Sequence, residues 1–180
     1  MRIRTFRQID LPTIVQIQQR AATVDGTEMM SATDIEEWLA EPELEARANV
    51  FVITDDDESN EWGQAGTLEG VEGETVGYTV LQFRRQKHEY HFLCQGAVLP
   101  EHRRRGAGRA LLICALNQAR MQAAEFEFEA EQEGHPIYFE ALLPVRDTGS
   151  SPLAVKCEMQ PTDEGALAGM RLYRRELYPD

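Results

Sequence analysis

Four arginines and two glycines fall within residues 103–109, directly before an apolar run rich in alanine and leucine. A glycine-bearing loop that opens into a helix is suited to holding a diphosphate. The first-turn N–H groups of a helix have no intrahelical partner, and the helix dipole adds about half a positive charge there. Gly106 and Gly108 lack the Cβ that would keep phosphate oxygens away from the backbone, and Arg103, Arg104, Arg105 and Arg109 supply balancing charge. The same residues could also form a plain strand–loop–helix corner with solvated arginines, so the surrounding segment has to decide.

Positioning such a loop takes a strand before it and a helix after it. Residues 89–99 read as a strand that ends Val98-Leu99-Pro100-Glu101, and residues 109–124 repeat Leu111, Leu112, Ala115 and Leu116 on one helical face. Residues 76–84 form the preceding strand, joined to it through the charged turn 85–88 as a β-meander. The chain opens with a strand over 2–7 and a helix that has Asp10 as N-cap, Pro12 in its first turn and Ile14, Val15, Ile17 and Ala21 on one side. Thr33 and Glu36 have capping-box spacing for a second helix bearing Ile35, Trp38 and Leu39, with Pro42 just beyond it. Residues 50–54 read as a strand, and the acidic stretch 55–74 as a mobile surface loop. Residues 126–133 extend the central helix, an alternating solvated strand being the other reading. Residues 137–143 are the fifth principal strand, 146–152 a loop, and the tail from Ala154 shows no clear period.

Other phosphate loops do not fit. Leu111 stands where the third glycine of a dinucleotide fingerprint would pack, and no Gly-Lys-Ser/Thr follows for a nucleoside-triphosphate loop. The arginine triplet has no interleaved aromatic residues, unlike a nucleic-acid patch. Instead, Val-x-Pro-Glu followed by Arg103-Arg104-Arg105-Gly106-Ala107-Gly108 and an apolar helix resembles the GNAT superfamily of acyl-CoA-dependent N-acetyltransferases. The resemblance is specific over residues 94–116, is supported more loosely by the element order over 1–143, and fades over the tail.

The resemblance implies an α/β fold: a twisted, mixed and mostly antiparallel sheet, helices on both faces, and a V-shaped splay between the fourth and fifth strands. It implies acetyl-CoA as cosubstrate, with backbone groups of Gly96, Ala97 and Val98 on the pantetheine arm and Arg103, Arg104, Arg105, Gly106, Ala107, Gly108 and Arg109 around the pyrophosphate. A small-molecule or peptide amine would attack the thioester directly in a ternary complex, with an oxyanion donor at a strand distortion near Gly96 and Ala97. Glu89 and His91 are the candidate bases. Tyr173 is the candidate acid if it lies in a late helix; if Gly169-Met170-Arg171 begins a final strand, it is a strand residue. Two alternatives of other classes stand: a non-catalytic acyl-CoA-binding or regulatory domain, and a dimerisation or scaffold domain. Some family members pair two such domains, so a homodimer or a second GNAT-like domain is an expected partner.

Composition narrows the field further. A chain of 180 residues with 42% hydrophobic content is expected to form one domain over 1–180, the segment 145–180 being the part hardest to assign. Against 18 basic residues stand 31 acidic ones, a net charge of −13 that disfavours nucleic acid and anionic lipid and mildly favours cationic acceptors. No apolar run reaches the roughly 18 residues of a membrane span, so a cytoplasmic setting with no membrane partner is expected. Cys94, Cys114 and Cys157 have no metal or disulfide spacing. No metal is expected, and Cys94 and Cys114 lie in apolar runs as buried small side chains.

Overall fold

The computed structural model describes residues 1–56, 73–165 and 167–178. Its strands are β1 (Arg2–Thr5), β2 (Val50–Asp55), β3 (Glu74–Gln86), β4 (Glu89–Val98), β5 (Ile137–Pro144), β6 (Gln160–Thr162) and β7 (Met170–Glu176). Its helices are α1 (Leu11–Asp25), α2 (Ala32–Ala40), α3 (Ala46–Asn49), α4 (Ala107–Ala123), α5 (Glu127–Glu133) and α6 (Ser150–Lys156). The strands form one sheet in the order β1-β2-β3-β4-β5-β7-β6. Every neighbouring pair is antiparallel except β4 and β5, which run parallel. The long connection that a parallel pair demands is supplied by α4 and α5.

β2 is buried along its whole length, and both α1 and α4 pack on the sheet. A side chain at Gly77 would point at Leu111 of α4, which assigns alternate residues of β3 to that face. Leu81, Phe92, Cys94, Phe139 and Ala141 join Leu112, Ala115 and Ala119 in one core, while Ile14 and Ile17 of α1 lie in a second with Val50, Val52 and Val80. Each fully buried aliphatic side chain contributes about 2 kcal/mol. No helix among the described residues is long and apolar enough to cross a membrane.

Several local expectations change. Asp10 stands at the start of α1 but its side chain does not cap that helix. Its carboxylate turns back to accept from both terminal nitrogens of Arg4, each at 2.7 Å, and from the Arg7 N–H at 2.8 Å. α2 begins at Ala32, with Ser31 Oγ accepting from the Asp34 N–H at 3.0 Å, so Thr33 lies inside the helix and the capping box is not formed. The central helix does not run on through residue 133. It breaks at 124–126, where the Phe126 ring lies tilted 4.7 Å from the Tyr90 ring, and α5 is a separate helix of about two turns beyond. The second half of the expected loop 146–152 is the start of α6, and the unparsed tail supplies β6 and β7. Nearly all of the loop expected over 55–74 lies outside the described residues.

Candidate functional site

The last pair between β4 and β5 is Cys94 with Ala141, yet β4 continues to Val98 and β5 to Pro144. The two strands therefore splay, leaving backbone groups that the sheet does not use. Tyr90 donates its N–H across to Pro136 ahead of β5, whereas Leu99 donates to Val76 in β3. Strict alternation between these points turns the backbone groups of Gly96 and Val98 into the splay and those of Ala97 toward Tyr78 of β3. Of the three residues expected on the pantetheine arm, Gly96 and Val98 thus turn their backbone groups to the splay and Ala97 turns its own toward β3. The ladder between β3 and β4 runs without a register shift from Val98 to Glu89, so the expected strand distortion is not a bulge. Close approach is nevertheless needed at Gly96, because a Cβ there would run into the Tyr78 carbonyl oxygen.

The splay opens into a cleft of about 670 Å³ that reaches the start of α4. Gly106 stands at the N-cap with φ +90°, a left-handed torsion that favours glycine, and the space where its Cβ would project is open. The Gly106 carbonyl accepts from the Ala110 N–H, while the amides of the first turn at 107–109 have no partner among the described residues. Gly108 and Arg109 line the same wall, whereas the side chain of Ala107 packs into the core. The corner fits a diphosphate: an open approach, unpaired amides and a helix dipole converge on it.

The four arginines differ in their partners. Arg103 grips Asp25 at the end of α1 with two hydrogen bonds of 2.7 and 2.8 Å and donates through Nε to the Val98 carbonyl at 3.2 Å. Arg104, held at φ +65°, bonds Asp147 at 2.7 Å and Thr148 Oγ1 at 2.9 Å. Arg105 pairs with Asp55 at 3.1 Å and does not line the cleft. Arg103 and Arg104 thus lock the loop to α1 and to the segment before α6. Burial works against the charge on Asp147, but the Gly149 N–H, Arg104 and Arg103 outweigh it and hold the carboxyl below its ordinary value. Arg109 and Lys156 line the cleft with no carboxylate partner among the described residues, so their charge there is uncompensated.

The opposite wall comes from α1, α2 and the segment between them: Gln18, Glu28, Met30 and Trp38 face the cleft, while Met29 is exposed beside it. That segment is pinned by side chains of α1. Gln18 donates to the Glu28 carbonyl at 2.9 Å and accepts from the Met30 N–H at 3.0 Å, and Gln19 donates to the Met30 carbonyl at 3.1 Å.

The three candidate catalytic side chains lie elsewhere. Tyr173 is in β7, not in a helix; it is 6% exposed and packs with Phe139, Ala154 and Cys157. His91 is buried, with Glu140 at 2.7 Å on Nδ1 and Glu89 at 2.8 Å on Nε2, so both ring nitrogens are engaged. Arg174 completes this chain by bonding Glu140 at 2.9 Å and stacking over Tyr138. Leu93, Leu142 and Leu172 form a small cluster between that network and the cleft. Along a strand, His91 stands about 13 Å from Gln95 at the cleft. Cys94 does reach the cleft, but burial pushes its thiol up to about 12, and it stays a thiol 2.9 Å from the Thr79 hydroxyl. Lys156, Tyr78 and Glu28 were not singled out from sequence. Lys156 sits in the tail without visible periodicity, and Tyr78 looks like any aromatic strand residue.

Comparison with known proteins agrees with this geometry. Residues 26–138, more than half of the chain, match the family model described as the acetyltransferase (GNAT) family. No curated protein matches. Among solved structures, yncA of Salmonella typhimurium, determined with its cofactor acetyl-CoA, superposes with a TM-score of 0.61 at 16% identity over 99% of this chain and 95% of that one. The ribosomal-protein-S18-alanine N-acetyltransferase of Escherichia coli gives 0.59 at 16% identity over 99% and 95%. A GCN5-related N-acetyltransferase of Sphaerobacter thermophilus gives 0.60 at 16% identity over 89% of this chain and 43% of that one. The splayed parallel pair, the glycine corner at the head of α4 and the family match agree: this chain belongs to the acetyltransferase (GNAT) family.

Proposed function

We propose that the chain transfers an acetyl group from acetyl-CoA to a cationic primary amine by direct attack while both are bound. The observation that carries this reading is the continuity of one cleft from the unpaired α4 amides to the splay beyond the Cys94–Ala141 pair. When bound, acetyl-CoA supplies an acyl group activated as a thioester. The first turn of α4, Arg109 and Lys156 hold its phosphate oxygens. Gly96 and Val98 bond the pantetheine amides as an added strand would. The acceptor enters between Met30, Trp38 and the exposed carboxylate of Glu28, which, with the net charge of −13, draws an ammonium toward the mouth.

A second reading, a domain that binds acyl-CoA without turning it over, is favoured by one observation: Glu89, His91 and Tyr173 all lie off the cleft. Two assays on the same preparation separate the readings. Acetyl-CoA at a hundred times its Kd raises stability by about 2.7 kcal/mol, seen as a higher Tm. Release of free thiol with a panel of primary amines identifies the transferase; a Tm rise without thiol release from any amine identifies the binder.

A further inference from the structure

Tyr78 lies in β3 directly opposite Ala97 and lines the cleft, although the residue as a whole is only 4% exposed. Its hydroxyl makes no hydrogen bond among the described residues, and it is not one of the polar atoms sealed away from solvent. A nearly buried phenol aimed unpaired into a cleft is unusual, because buried polar atoms ordinarily find partners. The neighbouring Ala97 amide is committed to Tyr78's own backbone by the strand pairing, so it does not serve as a donor in the cleft. Burial also drives the phenol well above its ordinary value, which leaves it a hydrogen-bond donor throughout the working pH range.

We propose that the Tyr78 hydroxyl donates a hydrogen bond to the thioester carbonyl oxygen and stabilises the charge that develops there; this rests on the acetyl-CoA reading above. The ammonium first gives one proton to water and attacks as the neutral amine; as the C–N bond forms and the C–S bond breaks, the second N–H proton passes to the departing sulfur, which leaves as the thiol. Tyr78 keeps its own proton throughout. The assignment puts the tyrosine of this site on a central strand, and Tyr173 remains a core residue.

The test is Tyr78→Phe, which removes the hydroxyl and keeps the ring. Expected are an acetyl-CoA affinity within about twofold of wild type and a kcat lower by about 10- to 100-fold. Isotope-edited infrared spectra of bound, carbon-13-labelled acetyl-CoA should show the thioester carbonyl stretch at lower frequency in wild type than in Tyr78→Phe. An unchanged stretch in a variant that still binds acetyl-CoA overturns the role of Tyr78 alone. Failure of the wild type to bind acetyl-CoA overturns the function itself, and the two failures are distinguishable. If Tyr78→Phe melts early, a fluorotyrosine at position 78 preserves packing and strengthens the donor, and the stretch should then fall further.

Discussion

Arg109 and Lys156 are the cations left over at the cleft once Asp25 and Asp147 have claimed Arg103 and Arg104. This division predicts opposite phenotypes. Arg109→Ala and Lys156→Ala should each weaken acetyl-CoA binding by about fivefold, roughly 1 kcal/mol for an exposed charge, with Tm unchanged; titration calorimetry checks it. Arg103→Ala should instead destabilise the fold by about 3 kcal/mol in denaturant melts, because it leaves the buried Asp25 carboxylate without its bidentate partner. The glycines of the loop were legible in sequence because their requirement is local, a left-handed torsion and an open approach. The division of labour among the arginines was not. It depends on which carboxylates the end of α1 and the segment before α6 bring across, and those lie 78 and 43 residues away in sequence.

At the scale of elements, the splay is set by two strands that pair for five residues and then part. Below the splay, β4, β5 and β7 are tied on one face by the chain from Glu89 through His91 and Glu140 to Arg174. Breaking it with Arg174→Met leaves the Glu140 carboxylate buried with one partner fewer, and should cost about 3 kcal/mol in a denaturant melt. Acid acts on other contacts. The carboxyls of Asp10 and Asp147 are held below their ordinary values despite burial, through Arg4 and the Arg7 N–H for one and the Gly149 N–H, Arg104 and Arg103 for the other. Their contribution is therefore fully present above the usual carboxylate range near 4 and is lost as the pH falls through their lower folded values. An Asp147→Asn variant should show a shallower loss of Tm below about pH 4 than the wild type. The elements β2 to β5 and α1, α2 and α4 were readable because the strands are largely continuous apolar runs and the helices each carry an apolar face. The caps of α1 and α2 were not, since Arg4 and the Arg7 N–H draw the Asp10 carboxylate backwards and Ser31, two residues before Thr33, takes the Asp34 N–H. The short α6, β6 and β7 carry too few residues for a period to emerge, and they supply Lys156 and the setting of Tyr173.

For the molecule as a whole, the claim that matters is that the head of α4 receives the phosphates of an acyl-CoA, with the rest of the sheet arranged so that the thioester meets an amine beyond it. The family match and the open cleft make this the reading to challenge first. Gly106→Glu challenges it at one point. A Cβ at this position meets no neighbour within 4 Å, and the left-handed torsion costs about 1–2 kcal/mol, so the variant should fold with a Tm lower by several degrees. Calorimetric titration of acetyl-CoA into wild type and Gly106→Glu is the most direct measurement. Saturable binding in the first and none in the folded second is the predicted result; equal affinity in both would contradict the site and everything built on it.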